Sequence, residues 1–342
     1  MNLPIKNVLV LGSGNFGTCL AQHLALNGSN VCLWSRHSEV TDSINKHHRN
    51  PRYLSDIELA GNLTGTSELN EDIVGSADVI LLAVPTQALR SVMKIIKPFT
   101  SPSQLLVCAA KGIEVDTLKF PREIIESVLG EEIAKAAVFL SGPSFAREVV
   151  QRLPTAVSLA SHDSERCLIA QDLFHADVFR AYSSDDPIGL EVAGALKNVI
   201  AIASGAVTGL GFESNSRAAM VTRGLAEITR MGVALGANPL TFTGLGGVGD
   251  LFLTCSSEKS RNFSLGYQLA GGRKIDEILA KMGSVAEGYY TAKAVHSLAK
   301  CINVQMPICD QVYQVLYDGK PIKEAVRYLL TREAKPELDG IK

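Results

Sequence analysis

The chain has 342 residues, of which 46% are hydrophobic and 20% are charged. This length exceeds one hydrophobic core, and the composition excludes a disordered protein or a disulfide scaffold. The formal net charge of -2 gives no positive field to attract nucleic acid. No basic leader precedes the first apolar run, and the cysteines lack the paired spacing of a zinc site. We therefore expect a cytoplasmic protein of two domains with reduced thiols, no metal and no nucleic-acid partner.

The first half alternates apolar runs with segments of helical periodicity. This alternation predicts an α/β, Rossmann-type domain, with a mostly parallel sheet and helices on both faces. The runs are continuous, as expected of strands covered on both faces. A helix is predicted from Asn15 to Asn27. The strand candidates are Val8–Leu11, Val31–Trp34, Val79–Val84, Leu105–Ala109, Val138–Leu140, Ala156–Ala160 and Val178–Tyr182.

Beyond Pro187 the pattern becomes helical and predicts an all-helical second domain. We expect a dinucleotide-binding domain at 1–187, a helical substrate and catalytic domain at 188–335, and a frayed tail at 336–342. The apolar stretch Val192–Phe212 approaches the length of a membrane span, but Lys197 and several glycines favour a buried helix that enters a glycine-rich loop. The helix candidates are Ile188–Ala203, Arg217–Leu235, Ile275–Met282, Thr291–Cys301 and Cys309–Tyr317.

A glycine-rich turn lies between the first strand candidate and the first helix candidate. In this position the pattern indicates a dinucleotide site, because glycines permit the tight turn and the close approach of the pyrophosphate to the helix start. A turn without a ligand is the alternative. At the end of the second strand Arg36 stands near the usual position of a ribose-binding acid, which suits a 2′-phosphate or is a solvated surface residue. The turn comprises Gly12, Ser13, Gly14, Asn15, Phe16 and Gly17.

Several polar residues could handle a substrate. Lys197 is the one charged residue between Glu191 and Glu213, and burial among small apolar residues would lower its pKa toward neutrality; the alternative is a lysine that reaches out to solvent. Asn198 adds a donor and an acceptor beside it. Lys111 and the segment Ser141–Ser144 follow strand candidates, where open parallel sheets bind ligands.

A third cluster runs from Gly244 to Leu251 and continues to residues 260–262. A glycine-rich lead into Asp250 suggests a close approach of the backbone to something bound. Ser260, Arg261 and Asn262 offer several donors for a phosphate group. A surface loop is the alternative for each of these pieces.

These motifs together closely resemble the bacterial NAD(P)-dependent glycerol-3-phosphate dehydrogenase family over nearly the whole chain. Asn15-Phe16 departs from the commoner Ser-Tyr or Ser-Trp, and Tyr290 stands where arginine is frequent. The motifs that carry the resemblance are Gly12–Gly17, Ala109–Gly112, Leu140–Ala146, Glu191–Val199, the loop with Asp250, Ser260–Asn262 and Val285–Tyr289.

The resemblance implies reduction of dihydroxyacetone phosphate to sn-glycerol 3-phosphate, a phospholipid precursor, with NAD or NADP and with Lys197 as the catalytic acid/base. Lys111 would polarise the carbonyl and Asp250 would orient Lys197 or a substrate hydroxyl. Arg261, with Ser260 and Asn262, would hold the phosphate. The resemblance implies substrate positions at Lys111, Gly142, Ser144, Lys197, Asp250, Ser260, Arg261 and Asn262. It implies cofactor positions at Asn15, Phe16, Arg36, Lys111, Ala146, Arg261, Val285 and Glu287.

Two other functions remain as alternatives. One is a related two-domain dehydrogenase for another small hydroxy or keto acid, which the donors at 260–262 disfavour. The other is a non-catalytic dinucleotide-binding protein, against which Lys111, Lys197 and Asp250 together argue. A homodimer is expected by analogy alone. The sequence leaves open the preference between NAD and NADP, and any feedback control.

Overall fold

The computed structural model describes residues 7–282, 286–334 and 336–337. Their contacts divide into two compact units, one formed by residues up to 110 and 121–187 and the other by 111–120 and the residues from 188 onward. A single cut at residue 187 does not describe this arrangement, because the segment 111–120 groups with the second unit. Lys111 therefore belongs to the helical unit. The expected fraying of the tail concerns residues that lie mostly outside the described ranges.

The first unit contains one mixed sheet with helices, which confirms the predicted fold class. Within the described residues the strand order is β3-β2-β1-β4-β5-β6-β7-β8, parallel except where β7 runs antiparallel to β6. The strands are β1 Asn7–Leu11, β2 Asn30–Trp34, β3 Leu63–Thr66, β4 Val79–Leu82, β5 Leu105–Cys108, β6 Val138–Ser141, β7 Thr155–Ala160 and β8 Phe179–Ser184. The helices are α1 Asn15–Leu26, α2 Ser38–His47, α3 Glu71–Gly75, α4 Thr86–Ile96, α5 Pro121–Leu129, α6 Glu131–Ala136, α7 Ala146–Val150 and α8 Ser164–Phe174.

Strand β1 lies between β2 and β4, so the chain order reverses beside it. Ligands of open α/β sheets bind at such a point, beyond the carboxyl ends of the strands. Strands β4, β5 and β6 are buried at every residue, which explains their continuous apolar runs. Edge strand β3 was not predicted, because its sequence Leu-Thr-Gly-Thr carries no apolar run.

The second unit is helical over its described residues, as predicted. A 3-10 turn at Pro239–Thr243 and a second turn at Leu245–Gly249, kinked at Gly247, precede the helix that starts at Asp250. The helices are α9 Pro187–Gly209, α10 Ser214–Ala234, α11 Asp250–Ser256, α12 Arg261–Ala270, α13 Ile275–Lys281, α14 Glu287–Cys301, α15 Pro307–Tyr317 and α16 Ile322–Leu330.

Helix α9 is the central helix of the second unit. It is long and apolar enough to cross a membrane, yet 94% of its most apolar window is buried, as in the core helix of a folded domain. The prediction that it ends at Ala203 was wrong, because the helix continues through Gly205 and Gly209. A Cβ on Gly205 would stand 1.9 Å from the carbonyl oxygen of Phe263. This glycine therefore lets α12 approach the backbone of α9 instead of ending the helix.

Candidate active site

The glycine-rich turn joins β1 to α1 in the first unit. Gly12 has φ +118°, and a Cβ there would meet the carbonyl oxygen of Ala83 at 2.7 Å. A Cβ on Gly17 would stand 1.8 Å from the carbonyl oxygen of Gly12, whereas a Cβ on Gly14 would have no atom within 4 Å. Gly12 and Gly17 thus serve packing, while Gly14 faces open space. These are the separate requirements of a dinucleotide turn.

The start of α1 fits an anionic group. Asn15 and Phe16 form its first residues, and its first turn carries no acidic side chain. The N–H groups in the first turn of a helix have no partner within the helix, and the helix dipole favours an anion there. The residues at this turn therefore fit the pyrophosphate of NAD or NADP.

Two further predicted positions follow β6 in the same unit. Gly142 has φ +141°, and a Cβ there would stand 2.8 Å from the Cα of Val157. The hydroxyl of Ser144 donates to the carbonyl oxygen of Gly142 at 3.0 Å, and Ala146 begins α7. Only glycine fits at position 142, so packing alone explains a glycine here, whether or not a ligand binds.

In the second unit, three of the predicted residues form one ionic cluster. The Nζ of Lys197 lies 2.5 Å from Oδ1 of Asp250, and the Nζ of Lys111 lies 2.8 Å from Oδ2 of the same carboxylate. Asp250 is the first residue of α11, and Lys197 lies on α9. The side chain of Asp250 is 2% exposed and that of Lys197 is 10% exposed. One buried carboxylate is therefore shared by two ammonium groups.

The surroundings set the charge state of this cluster. Burial lowers the pKa of Lys197 to about 8, with a further contribution from the positive charge of Lys111, although Asp250 opposes the shift. Burial by itself would raise the pKa of Asp250, but the two ammonium groups lower it below its usual value. Asp250 therefore stays ionised near neutral pH, while Lys197 can gain or lose a proton there.

Thr254 completes the cluster, and the sequence analysis missed it. Its hydroxyl accepts a hydrogen bond from the Nζ of Lys197 at 3.0 Å and donates to the carbonyl oxygen of Asp250 at 2.6 Å. Since Thr254 lies four residues after Asp250, the two share one face of α11. That spacing was the available signal, but it has meaning only in a helix that starts at Asp250, and the sequence analysis did not predict a helix there.

The glycine-rich segment before Asp250 is a tight, partly buried turn with a kink at Gly247, not the surface loop that was the alternative. Gly246 and Gly247 are buried. A Cβ on Gly247 would stand 2.2 Å from the carbonyl oxygen of Phe242. The glycines thus allow the chain to fold tightly on itself and to start α11 with Asp250 inside the unit.

The donors at 260–262 have different surroundings. Ser260 caps α12, because its hydroxyl accepts from the N–H of Phe263 at 3.3 Å. Asn262 is buried; its Nδ2 donates to Oδ1 of Asn198 at 2.9 Å and its Oδ1 accepts from the N–H of Gly288 at 3.0 Å. Arg261 is exposed at the first turn of α12. Arg261 is therefore the member of this segment whose side chain is placed to reach a solute.

The same contacts connect the predicted residues on α9 and α14. Asn198 follows Lys197, and Gly288 follows Glu287 at the start of α14. A Cβ on Gly288 would stand 2.6 Å from the carbonyl oxygen of Asn198, so the start of α14 packs directly on α9. Val285, the other cofactor position predicted here, lies outside the described residues.

Two family models match the chain. The model of the NAD-dependent glycerol-3-phosphate dehydrogenase N-terminus matches residues 7–167, and the model of the C-terminus matches residues 186–327. The chain belongs to this family. This membership confirms the predicted resemblance, and it makes the chain an oxidoreductase that uses NAD or NADP.

Individual relatives agree with the assignment. The chain is 46% identical to glycerol-3-phosphate dehydrogenase [NAD(P)+] of Staphylococcus carnosus, over 97% of this chain and 100% of the relative. It is 47% identical to the protein of the same name from Myxococcus xanthus, over 97% of this chain and 99% of the relative. The crystal structure of glycerol-3-phosphate dehydrogenase from Coxiella burnetii superposes with a TM-score of 0.91 at 36% identity, covering 96% of this chain and 100% of that chain.

The ionic cluster yields a prediction about stability. Replacing Asp250 alone leaves the buried ammonium of Lys197 without its carboxylate, and this cost disappears when Lys197 is also replaced, whereas replacing Lys197 alone leaves Asp250 paired with Lys111. In a double-mutant cycle with Lys197→Met and Asp250→Asn, we expect the two changes in unfolding free energy to couple by about 2 kcal/mol. Chemical denaturation of the four proteins measures this coupling.

The exposed ion pair between Glu131 and Lys135 provides the control cycle. Solvent screens this pair, so Glu131→Gln and Lys135→Met should give changes that add within experimental error. Additive changes at 197 and 250 as well would show that the buried contact contributes nothing specific.

Proposed function

We propose that this chain reduces dihydroxyacetone phosphate to sn-glycerol 3-phosphate, the backbone precursor of phospholipids, with NAD(P)H, and that Lys197 is its catalytic acid/base. The observation that carries the proposal is the cluster of Lys111, Lys197 and Asp250 in a chain of this family. We also propose a cytoplasmic homodimer. Cys19, Cys167, Cys255 and Cys309 are buried and form no disulfide, which fits a reducing compartment.

Lys197 has the properties that proton transfer to a carbonyl oxygen requires. A general acid works best when its pKa lies near the working pH, and burial brings the pKa of Lys197 to about 8. When bound, NAD(P)H supplies the hydride for the C2 carbon of the substrate. Lys197 gives its proton to the oxygen on that carbon, and the same group, unprotonated, accepts the hydroxyl proton in the reverse direction.

Asp250 and Lys111 have supporting roles in this proposal. Asp250 holds the ammonium of Lys197 at a fixed position through Oδ1 and that of Lys111 through Oδ2. The sequence left open whether Asp250 orients Lys197 or a substrate hydroxyl, and this proposal assigns it the orientation of Lys197. Lys111 is the more exposed of the two lysines, and its charge both stabilises negative charge on the substrate oxygen and favours the neutral form of Lys197.

Arg261 holds the substrate phosphate in this proposal, and Ser260 and Asn262 set its position. A guanidinium binds a phosphate through two parallel hydrogen bonds. Ser260 fixes the start of α12, and Asn262 fixes α12 against Asn198. Binding energy from the phosphate thereby orients the carbon that reacts. The second hydrogen on Nδ2 of Asn262 and the hydroxyl hydrogen of Ser260 remain as further donors for the phosphate.

Replacement of the proposed acid/base tests the function directly. We expect Lys197→Ala to lower kcat for dihydroxyacetone phosphate by at least about 100-fold, the usual effect of losing a general acid. Consumption of NAD(P)H, followed by its absorbance, gives the rate. Lys300→Ala, at an exposed position of α14, is the matched control and should leave kcat unchanged.

The outcomes separate the candidate functions. Near-normal turnover by Lys197→Ala would remove Lys197 from the proposed role. Turnover of another keto acid by the wild-type chain, without turnover of dihydroxyacetone phosphate, would favour the related dehydrogenase. Binding of the cofactor without turnover of either substrate would favour a non-catalytic protein.

The pH dependence should have opposite signs in the two directions. Reduction needs protonated Lys197, so kcat/KM for dihydroxyacetone phosphate should fall as the pH rises through about 8. Oxidation needs the neutral amine, so kcat/KM for glycerol 3-phosphate should rise through the same pH. Lys111→Met removes a positive charge that lowers the pKa of Lys197, so both transitions should move to higher pH.

Lys300→Met is the control for this shift, because its charge lies on the exposed face of α14. Profiles of the wild type and the two variants, measured at constant ionic strength, give the comparison. Transitions that stay in place in Lys111→Met would show that another group is titrating.

A further inference from the structure

A group of two arginines and a histidine lies in the first unit, beyond the carboxyl end of β2. Its members are Arg36, His37 and Arg52, which we call the basic cluster. Nε of Arg36 donates to Nε2 of His37 at 3.2 Å, and Nη1 of Arg52 lies 3.1 Å from the same ring nitrogen. Because a guanidinium can only donate, this nitrogen is the acceptor for both arginines. The sequence analysis named Arg36 alone and missed Arg52, sixteen residues further along the chain.

A buried polar network ties the basic cluster to the glycine-rich turn along one side. The hydroxyl of Ser13, inside the turn, donates to that of Ser35 at 2.7 Å. The hydroxyl of Ser35 also accepts from the N–H of His37 at 3.2 Å. The first residue beyond β2 is thus a buried serine, where a ribose-binding acid is usual in NAD sites.

Asn50 connects the turn to Arg52 along the other side. It is fully buried, and its Nδ2 donates to the carbonyl oxygen of Ser13 at 2.9 Å and to Oγ1 of Thr18 at 2.8 Å. Its Oδ1 accepts from the backbone N–H of Arg52 at 3.1 Å and of Tyr53 at 3.2 Å. The backbone of Arg52 is therefore held by the same turn that fits the pyrophosphate.

The charges of the basic cluster favour an added anion. Two exposed guanidinium groups converge on one imidazole nitrogen, and like charges held this close repel one another unless an anion lies between them. Glu39 pairs with Arg52 through Nη2. This ion pair uses Nη2 of Arg52. Nη1 of Arg52 and Nε of Arg36 both contact the shared ring nitrogen of His37.

We infer that Arg52 joins Arg36 in binding the 2′-phosphate of NADP, and that this pair makes the enzyme prefer NADP to NAD. The inference rests on the proposed function for the use of a dinucleotide, and it assigns a preference that the sequence left open. A dianionic 2′-phosphate takes the place between the guanidinium groups that Nε2 of His37 occupies. Glu39 orients Arg52 and opposes the phosphate, so it limits the preference instead of creating it.

Binding of two nucleotide fragments tests the inference without turnover. The probes are 2′,5′-ADP and 5′-AMP, which differ only by the 2′-phosphate, and isothermal titration gives their Kd values. The wild-type chain should bind 2′,5′-ADP at least roughly tenfold more tightly, as expected for charge-assisted hydrogen bonds. Arg52→Gln should remove about tenfold of that difference and leave the Kd of 5′-AMP unchanged.

Three further variants sharpen the test. Arg49→Gln, which removes a neighbouring arginine that contacts Ser55 and Glu58, is the matched control and should bind both fragments as the wild type does. Glu39→Gln should tighten binding of 2′,5′-ADP alone. Arg52→Lys should recover part of the lost preference, because it restores the charge without the fork of donors.

Equal affinity of the wild-type chain for the two fragments would overturn the inference, and so would an Arg52→Gln variant with the wild-type preference. All four variants are checked for an unchanged melting temperature, so that a loss of binding through unfolding is recognised. A chain that prefers 2′,5′-ADP but turns over neither cofactor with dihydroxyacetone phosphate would contradict the proposed function and leave this inference intact.

Discussion

The charge state of the candidate active site depends on one buried carboxylate, Asp250, which is shared by two lysines. An isolated charge in that position would be too costly to bury, and the ammonium groups of Lys197 and Lys111 compensate it. Burial and the positive charge of Lys111 lower the pKa of Lys197, although Asp250 opposes this shift. Burial and charge in this cluster thus bring the pKa of Lys197 to the range that the proposed proton transfer requires.

The packing of the surrounding helices holds Asp250 and the two lysines in position. Glycines let α12 and α14 approach the backbone of α9, and a glycine turn delivers Asp250 to the start of α11. Thr254 then fixes both partners of the ion pair. In the first unit, glycines likewise shape the turn after β1, and the buried side chains of Ser13, Ser35 and Asn50 extend its influence to the basic cluster. In each unit, close backbone packing thus positions the charged groups beside it.

The sequence predicted the parts of this molecule that local pattern controls. The alternation of apolar runs gave the sheet, and the spacing of Gly12, Gly14 and Gly17 located the turn, because both depend on neighbours in sequence. Lys197 was recognisable as a lone charge in an apolar helix. The grouping of Lys111 with the second unit, the hydroxyl of Thr254 and the approach of Arg52 to Arg36 depend on contacts between distant segments, which periodicity does not encode. Gly205 and Gly209 misled the prediction of α9 because their steric role concerns another helix.

The central claim is that the buried cluster tunes Lys197 for proton transfer. Its most direct test is an NMR titration of the side-chain signal of Lys197 in the wild-type protein labelled at lysine, with the signal assigned by its loss in Lys197→Met. The account predicts a transition near pH 8. A transition at the ordinary lysine value of about 10.5 would contradict it, because the amine would then have no neutral form to accept a proton under working conditions.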